Sequence, residues 1–104
     1  MTNIFVFHGT AGYPEENWFP WLKRKLEGIN CKVIVPKFPT PENQTLENWL
    51  EILKKYEEFY NGTTILVCHS LGGAFLLRVL ENYNVQIRAA FIVAAPRDIA
   101  NQEL

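Results

Sequence analysis

The chain has 104 residues, 48% hydrophobic and 20% charged, with a formal net charge of -1 at pH 7. That balance belongs to one globular domain with a modest core and excludes an intrinsically disordered chain. Ten basic against eleven acidic residues leave no excess of either sign to mark nucleic acid or a charged surface as partner. Cys31 and Cys68 lie in apolar, strand-like contexts and read as small buried thiols rather than a disulfide, which suits a reducing cytosol. The longest apolar stretch, residues 89–95, is too short to cross a bilayer. Residues 1–7 lack the basic segment and cleavage site of a leader. The chain therefore reads as soluble and cytoplasmic.

Residues 4–7 form an apolar run that stops at His8-Gly9, the pattern of a buried strand entering a turn. A loop over 10–17 follows. Asn17 is placed to cap a helix that carries Pro20 in its first turn, where a missing N–H costs nothing. Trp18, Trp21, Leu22, Leu26 and Ile29 make the apolar stripe of this helix, and Gly28 ends it. Residues 32–35 are a second strand closed by Pro36, and 36–41 a proline-punctuated loop. Thr45 caps a second helix with Leu46, Trp49, Leu50, Leu53, Tyr56 and Tyr60 on one face, terminated at Asn61-Gly62. A strand over 64–68, a helix over 71–82 and a strand over 88–94 complete the order βαβαβαβ. Apolar strands separated by helices predict an α/β fold: a single domain over 1–104, three-layer α/β/α, with a parallel sheet of about four strands. Ligands of such sheets gather outside the carboxyl ends of the strands. Residues 8–12 and 69–73 both fall at that edge.

Residues 63–75 read TTILVCHSLGGAF. A β-branched apolar run climbs to Ser70, and Gly72 and Gly73 then open a helix. A nucleophile elbow needs small residues two before and two after its serine, so that strand and helix backbones can approach. Gly72 meets the second demand; Cys68 stands where the pattern wants glycine and meets the first only in part. At a helix N-terminus, free N–H groups and the dipole favour developing negative charge. The Leu71 N–H is a natural oxyanion donor, and a second donor should come from the loop after the first strand, around Thr10. The pentapeptide alone leaves open a serine that merely caps the helix. HGTAG as a phosphate cradle lacks both the GxGxxG spacing and the Lys-Ser/Thr of a P-loop. His8, Cys68 and His69 match no familiar zinc spacing and lack a fourth ligand. Neither cofactor nor metal is expected.

The segments FVFHGTAGYPEENWFPWLKRKL, VPKFPTPENQTLENWLEIL and VCHSLGGAFLLRVL together resemble the α/β-hydrolase superfamily. Within it they are similar to the small serine hydrolases of the YdeN and retinoblastoma-binding-protein-9 type. The resemblance implies strand order 2-1-3-4, no large lid, and hydrolysis of small esters or amides through an acyl-serine. It places the nucleophile on Ser70 and the backbone oxyanion donors on Leu71 and Thr10. Family members run to nearly twice this length, with the triad acid after a later strand and the histidine near the C-terminus. The resemblance therefore covers the N-terminal half of the fold, without its C-terminal strands and helices. Of the two histidines, His8 stands where the family shapes the turn before the oxyanion loop. His69 is the variable residue before the nucleophile, its side chain directed away from the base position. Asp98, the sole aspartate, lies where some lipase-like members carry the triad acid, but the residues alone read first as a solvated loop or helix-capping aspartate.

The strand over 88–94 becomes an edge in this order, yet it has the near-continuous apolar character of an interior strand. A second copy of the chain, or a separate C-terminal half supplying acid and histidine in trans, is expected to cover it. The competing reading is a non-catalytic α/β interaction module that keeps the elbow as architecture.

Overall fold

The alternation of short apolar runs with amphipathic segments resolves into β1 (Thr2–Phe7), α1 (Phe19–Glu27), β2 (Cys31–Ile34), α2 (Leu46–Lys54), β3 (Ile65–His69), α3 (Gly72–Asn82) and β4 (Ala89–Val93). The computed structural model describes residues 1–70 and 72–93. All strand pairs are parallel, in the order β2-β1-β3-β4. Helical crossovers impose this arrangement, because a parallel neighbour cannot be reached through a tight hairpin.

Side-chain alternation along the strands divides the core into two layers. On one face, Phe5, Phe7, Ile34, Leu66 and Cys68 pack against Trp49 and Leu53 of α2 and Ala74, Phe75, Leu76 and Val79 of α3. Aromatic rings dominate this layer: Phe38 stacks on Trp49 with centroids 4.5 Å apart, and Phe75 meets Phe7, Phe38 and Trp49 edge-on at 5.0–5.2 Å. On the other face Ile4, Val6 and Val33 pack against Phe19, with Trp18, Leu22 and Leu26 half-buried beside them. That face carries α1 alone among the described helices.

Local signals account for most of the helix boundaries. Thr45 caps α2 as expected, its hydroxyl accepting from the Asn48 N–H at 3.1 Å. Pro20 sits in the first turn of α1. Asn17, by contrast, is no cap: it adopts a left-handed φ of 50°, and Trp18 takes the cap position without a side-chain bond. The inward residue of α1 is then Phe19, while Trp21 and Ile29 are 53% and 70% exposed and leave the expected stripe. The second helix also ends earlier than its pattern implies. After Lys54 a 3-10 turn, Glu57–Phe59, takes over, and Tyr60 reaches the core beyond it, tilted against Phe5 and Tyr83.

The contact that positions the site is the approach of α3 to β1. A β-carbon on Gly72 would lie 2.6 Å from the Phe7 carbonyl oxygen and 3.0 Å from that of His8. Both are backbone atoms, one of the last residue of the central strand β1 and one of the residue that follows it, and neither can rotate aside as a side chain could. Gly72→Ala is therefore expected to cost about 1–3 kcal/mol as an overpacked contact, read as a lower urea midpoint. An unchanged midpoint would mean that α3 can slide away from β1 freely.

Candidate active site

β1 and β3 are direct neighbours, with Phe7 opposite Cys68, so the chain leaves both strands at the same edge. Ser70 follows β3 immediately. Its N–H donates to the Val93 carbonyl at 3.1 Å, prolonging the β3–β4 ladder, and its carbonyl accepts from the Gly73 N–H at 2.9 Å as α3 begins. Between these two bonds the backbone must turn sharply, and Ser70 does so with a left-handed φ of 56°. A residue with a β-carbon spends about 1–2 kcal/mol to adopt that conformation. An N-cap serine normally takes extended backbone instead, so the geometry of Ser70 differs from that of a simple cap. It is half-buried at the sheet edge.

His8 closes β1 on the other side of this edge and is fully buried. Its Nε2 accepts from the Phe38 N–H at 3.0 Å, and its Nδ1 lies 2.9 Å from the Gly9 carbonyl oxygen. An amide only donates and a carbonyl only accepts, so the ring is neutral with its proton on Nδ1. The edge of the Trp49 ring and the tilted Phe38 ring enclose it at 5.6 and 5.4 Å. His69 lies on the opposite face of the sheet, edge-on to Trp18 at 5.9 Å and Phe19 at 6.2 Å. Among the described residues no hydrogen bond joins either histidine to Ser70.

The remaining expected residues divide in two. Thr10 sits in the turn after His8-Gly9, its hydroxyl accepting from Gln44 Nε2 at 3.0 Å. Leu71 and Asp98 lie outside the described residues. Cys68 faces the α3 layer; burial pushes its thiol pKa up to about 12, so at neutral pH it is an inert filler of the position that the elbow pattern gives to glycine. Cys31 is also a free thiol, and half-buried. Among the described residues no three His, Cys, Asp or Glu side chains gather as a metal site, and no helix is long and apolar enough to cross a membrane.

Sequence reasoning passes over Phe38, Trp49, Thr40 and Gln44 as parts of this edge. Trp49 reads only as a core position on a helical stripe, and the others lie in a loop about 30 residues from the turn they support.

A parallel three-layer α/β sheet with a left-handed serine between a central strand and its following helix has the arrangement of the α/β serine hydrolases. Residues 4–104 match the family described as serine hydrolase, and the chain belongs to that family. It is 32% identical over 90 residues to the protein described as putative hydrolase YdeN of Bacillus subtilis (strain 168), covering 86% of this chain and 47% of that one. The crystal structure of the B. subtilis ydeN gene product superposes with a TM-score of 0.73 at 35% identity, over 88% of this chain and 50% of that chain. The chain thus spans about half the length of these relatives.

Burial makes the His8 ring titrate below its usual value. Desolvation lowers the pKa, outweighing the upward pull of the Gly9 carbonyl and of Glu16. The unfolded chain then takes up a proton at a pH where the folded chain does not. Stability is fully present above about pH 6.5, the ordinary histidine value, and declines as the pH falls through it. Urea unfolding between pH 7.5 and 5 should show that decline, and His8→Asn should flatten it. A variant keeping the wild-type slope would assign the acid sensitivity elsewhere.

Proposed function

We propose that this chain carries the nucleophile half of a serine hydrolase acting on small esters or amides through an acyl-serine. In this reading Ser70 attacks the carbonyl, and the backbone N–H groups of Leu71 and Thr10 receive the developing oxyanion. No cofactor or metal takes part. The single observation that supports it best is the left-handed Ser70 at the carboxyl edge of the sheet, a conformation with an energetic cost that a capping serine has no need to bear. Family membership supports the same reaction class.

Neither histidine suits the role of base. Both ring nitrogens of His8 are committed to Gly9 and Phe38, and His69 is turned toward α1. Asp98 is the candidate acid that the family resemblance offers. A histidine would come from whatever completes the sheet beside β4. Missing triad members typically cost orders of magnitude in rate while leaving a residue of catalysis from the oxyanion hole and binding. Slow covalent labelling by a fluorophosphonate, abolished in Ser70→Ala, is the expected outcome for the purified chain. Complete resistance to the probe would favour the second reading, a non-catalytic interaction module.

The β4 edge supports a macromolecular neighbour in either reading. Phe91, Ile92 and Val93 are 56%, 43% and 41% exposed among the described residues. Phe91 and Val93 line an apolar groove of about 350 Å³ with Ile4, Trp18, Leu22, Leu26, Ile65 and Val67. An apolar strand edge of this kind is a template for further pairing. The partner we propose is a polypeptide that extends the sheet and covers both of its faces; for the chain alone this role falls to a second copy. Light scattering at micromolar concentration should then report a species larger than the 12.0 kDa chain, returned to monomer by Ile92→Lys. A stable wild-type monomer would remove self-association.

A further inference from the structure

The turn after β1 is tied to a distant loop by a closed circuit of hydrogen bonds. The Ala11 N–H donates to Thr40 Oγ1 at 2.8 Å, the Thr40 hydroxyl donates to Gln44 Oε1, and Gln44 Nε2 donates to Thr10 Oγ1 at 3.0 Å. Two side chains, 29 and 34 positions away from the groups they hold, thereby join adjacent residues of the turn. Thr40 acts in both directions, accepting from the backbone and donating to the amide, so its hydroxyl is the hinge of the circuit.

The turn itself bears strain that the circuit offsets. Gly12 N–H donates to the Gly9 carbonyl at 3.0 Å, closing a four-residue turn with Ala11 in its third position at a φ of 61°. Glycine or asparagine normally fills that position, and alanine has no polar side chain with which to support it. What holds Ala11 is the hydroxyl of Thr40 on its N–H.

Peptide planarity converts this bracing into aim. The Gly9 carbonyl and the Thr10 N–H share one rigid plane and point in opposite directions. That carbonyl is fixed twice, by His8 Nδ1 at 2.9 Å and by the Gly12 N–H at 3.0 Å. The next plane carries the Ala11 N–H, fixed by Thr40. Both planes flanking Thr10 are thus immobilised, while the Thr10 N–H donates to no other group among the described residues. A donor held in advance and left unpartnered is what stabilisation of a developing negative charge requires.

We propose that Thr40 and Gln44 are positioning residues for the Thr10 amide: they lock the 9–12 turn so that this donor faces the atom bonded to Ser70. The proposal rests on the hydrolase reading and deepens it. The test is the kinetics of fluorophosphonate labelling of the purified chain, because the phosphonyl oxygen occupies the place of a carbonyl oxygen. Thr40→Val, which keeps the shape and loses the hydroxyl, and Gln44→Met should each lower the maximal labelling rate about tenfold or more. The probe concentration for half-maximal rate and the urea midpoint should stay near wild type. Thr40→Ser should restore the rate, and hydrogen exchange at the Ala11 amide should accelerate in Thr40→Val alone of the two Thr40 variants. A Thr40→Val chain that has lost Ala11 protection yet labels at the wild-type rate would overturn the proposal while leaving the hydrolase reading intact. A wild-type chain that never labels would overturn both.

Discussion

Gly72 sets the distance on which the sheet edge depends. Without a β-carbon there, the start of α3 rests directly on the last carbonyls of β1, and two loops from neighbouring parallel strands are pressed into one small volume. The serine turn belongs to one strand and the 9–12 turn to the other. Strand pairing alone would bring their ends within a strand spacing of each other, roughly 4.8 Å, but would not choose the direction of any side chain or amide. The close helix approach makes that choice on one side, through the left-handed backbone of Ser70. On the other side the choice falls to the buried imidazole of His8 and its two fixed partners.

The layers around the sheet are unequal, and the inequality has a chemical consequence. The α2 and α3 face buries Leu66 and Cys68 of β3 completely, whereas Ile65, Val67 and His69 on the α1 face are only half-buried. The same strand is therefore a core strand on one side and a groove wall on the other. Interiors normally leave few voids larger than a water molecule, so an apolar groove of about 350 Å³ bounded by β4 sets this face apart from the close-packed α2 and α3 side. It lies on the face to which His69 belongs and away from the aromatic core that encloses His8. The sheet therefore separates this groove from the rings that support the 9–12 turn.

Much of this was legible in the residues. Apolar runs bounded by Gly and Pro mark the four described strands, and their βα alternation dictates a parallel sheet. Family resemblance added the order 2-1-3-4, which the strand pairing matches. Boundaries that depended on tertiary choice were less legible. Residues 18–29 offer two overlapping apolar stripes, and the left-handed turn at Asn17 rotates Phe19 inward and Trp21 outward. Tyr60 fits the period of α2 but reaches the core only after the helix has ended. The supports of the 9–12 turn left no local signal. An alanine at a left-handed position looks like any loop alanine, and the hydroxyl that holds it lies 29 residues further along the chain.

Histidine is the residue by which a serine hydrolase is usually recognised, and here both histidines have other tasks. His8 satisfies a carbonyl and an amide inside an aromatic box, a use that requires the ring to stay neutral and that protonation would break. A base must instead keep one nitrogen free to take a proton from the serine. His69 keeps its ring among Trp18 and Phe19, on the face where alternation along β3 must put it. A shift of one residue would bring it to the other face and remove Cys68 from the core, so the register of β3 excludes it as firmly as the hydrogen bonds exclude His8. The sheet edge thus carries a serine in a costly backbone conformation at the end of one strand and a turn braced by hydrogen bonds at the end of its neighbour.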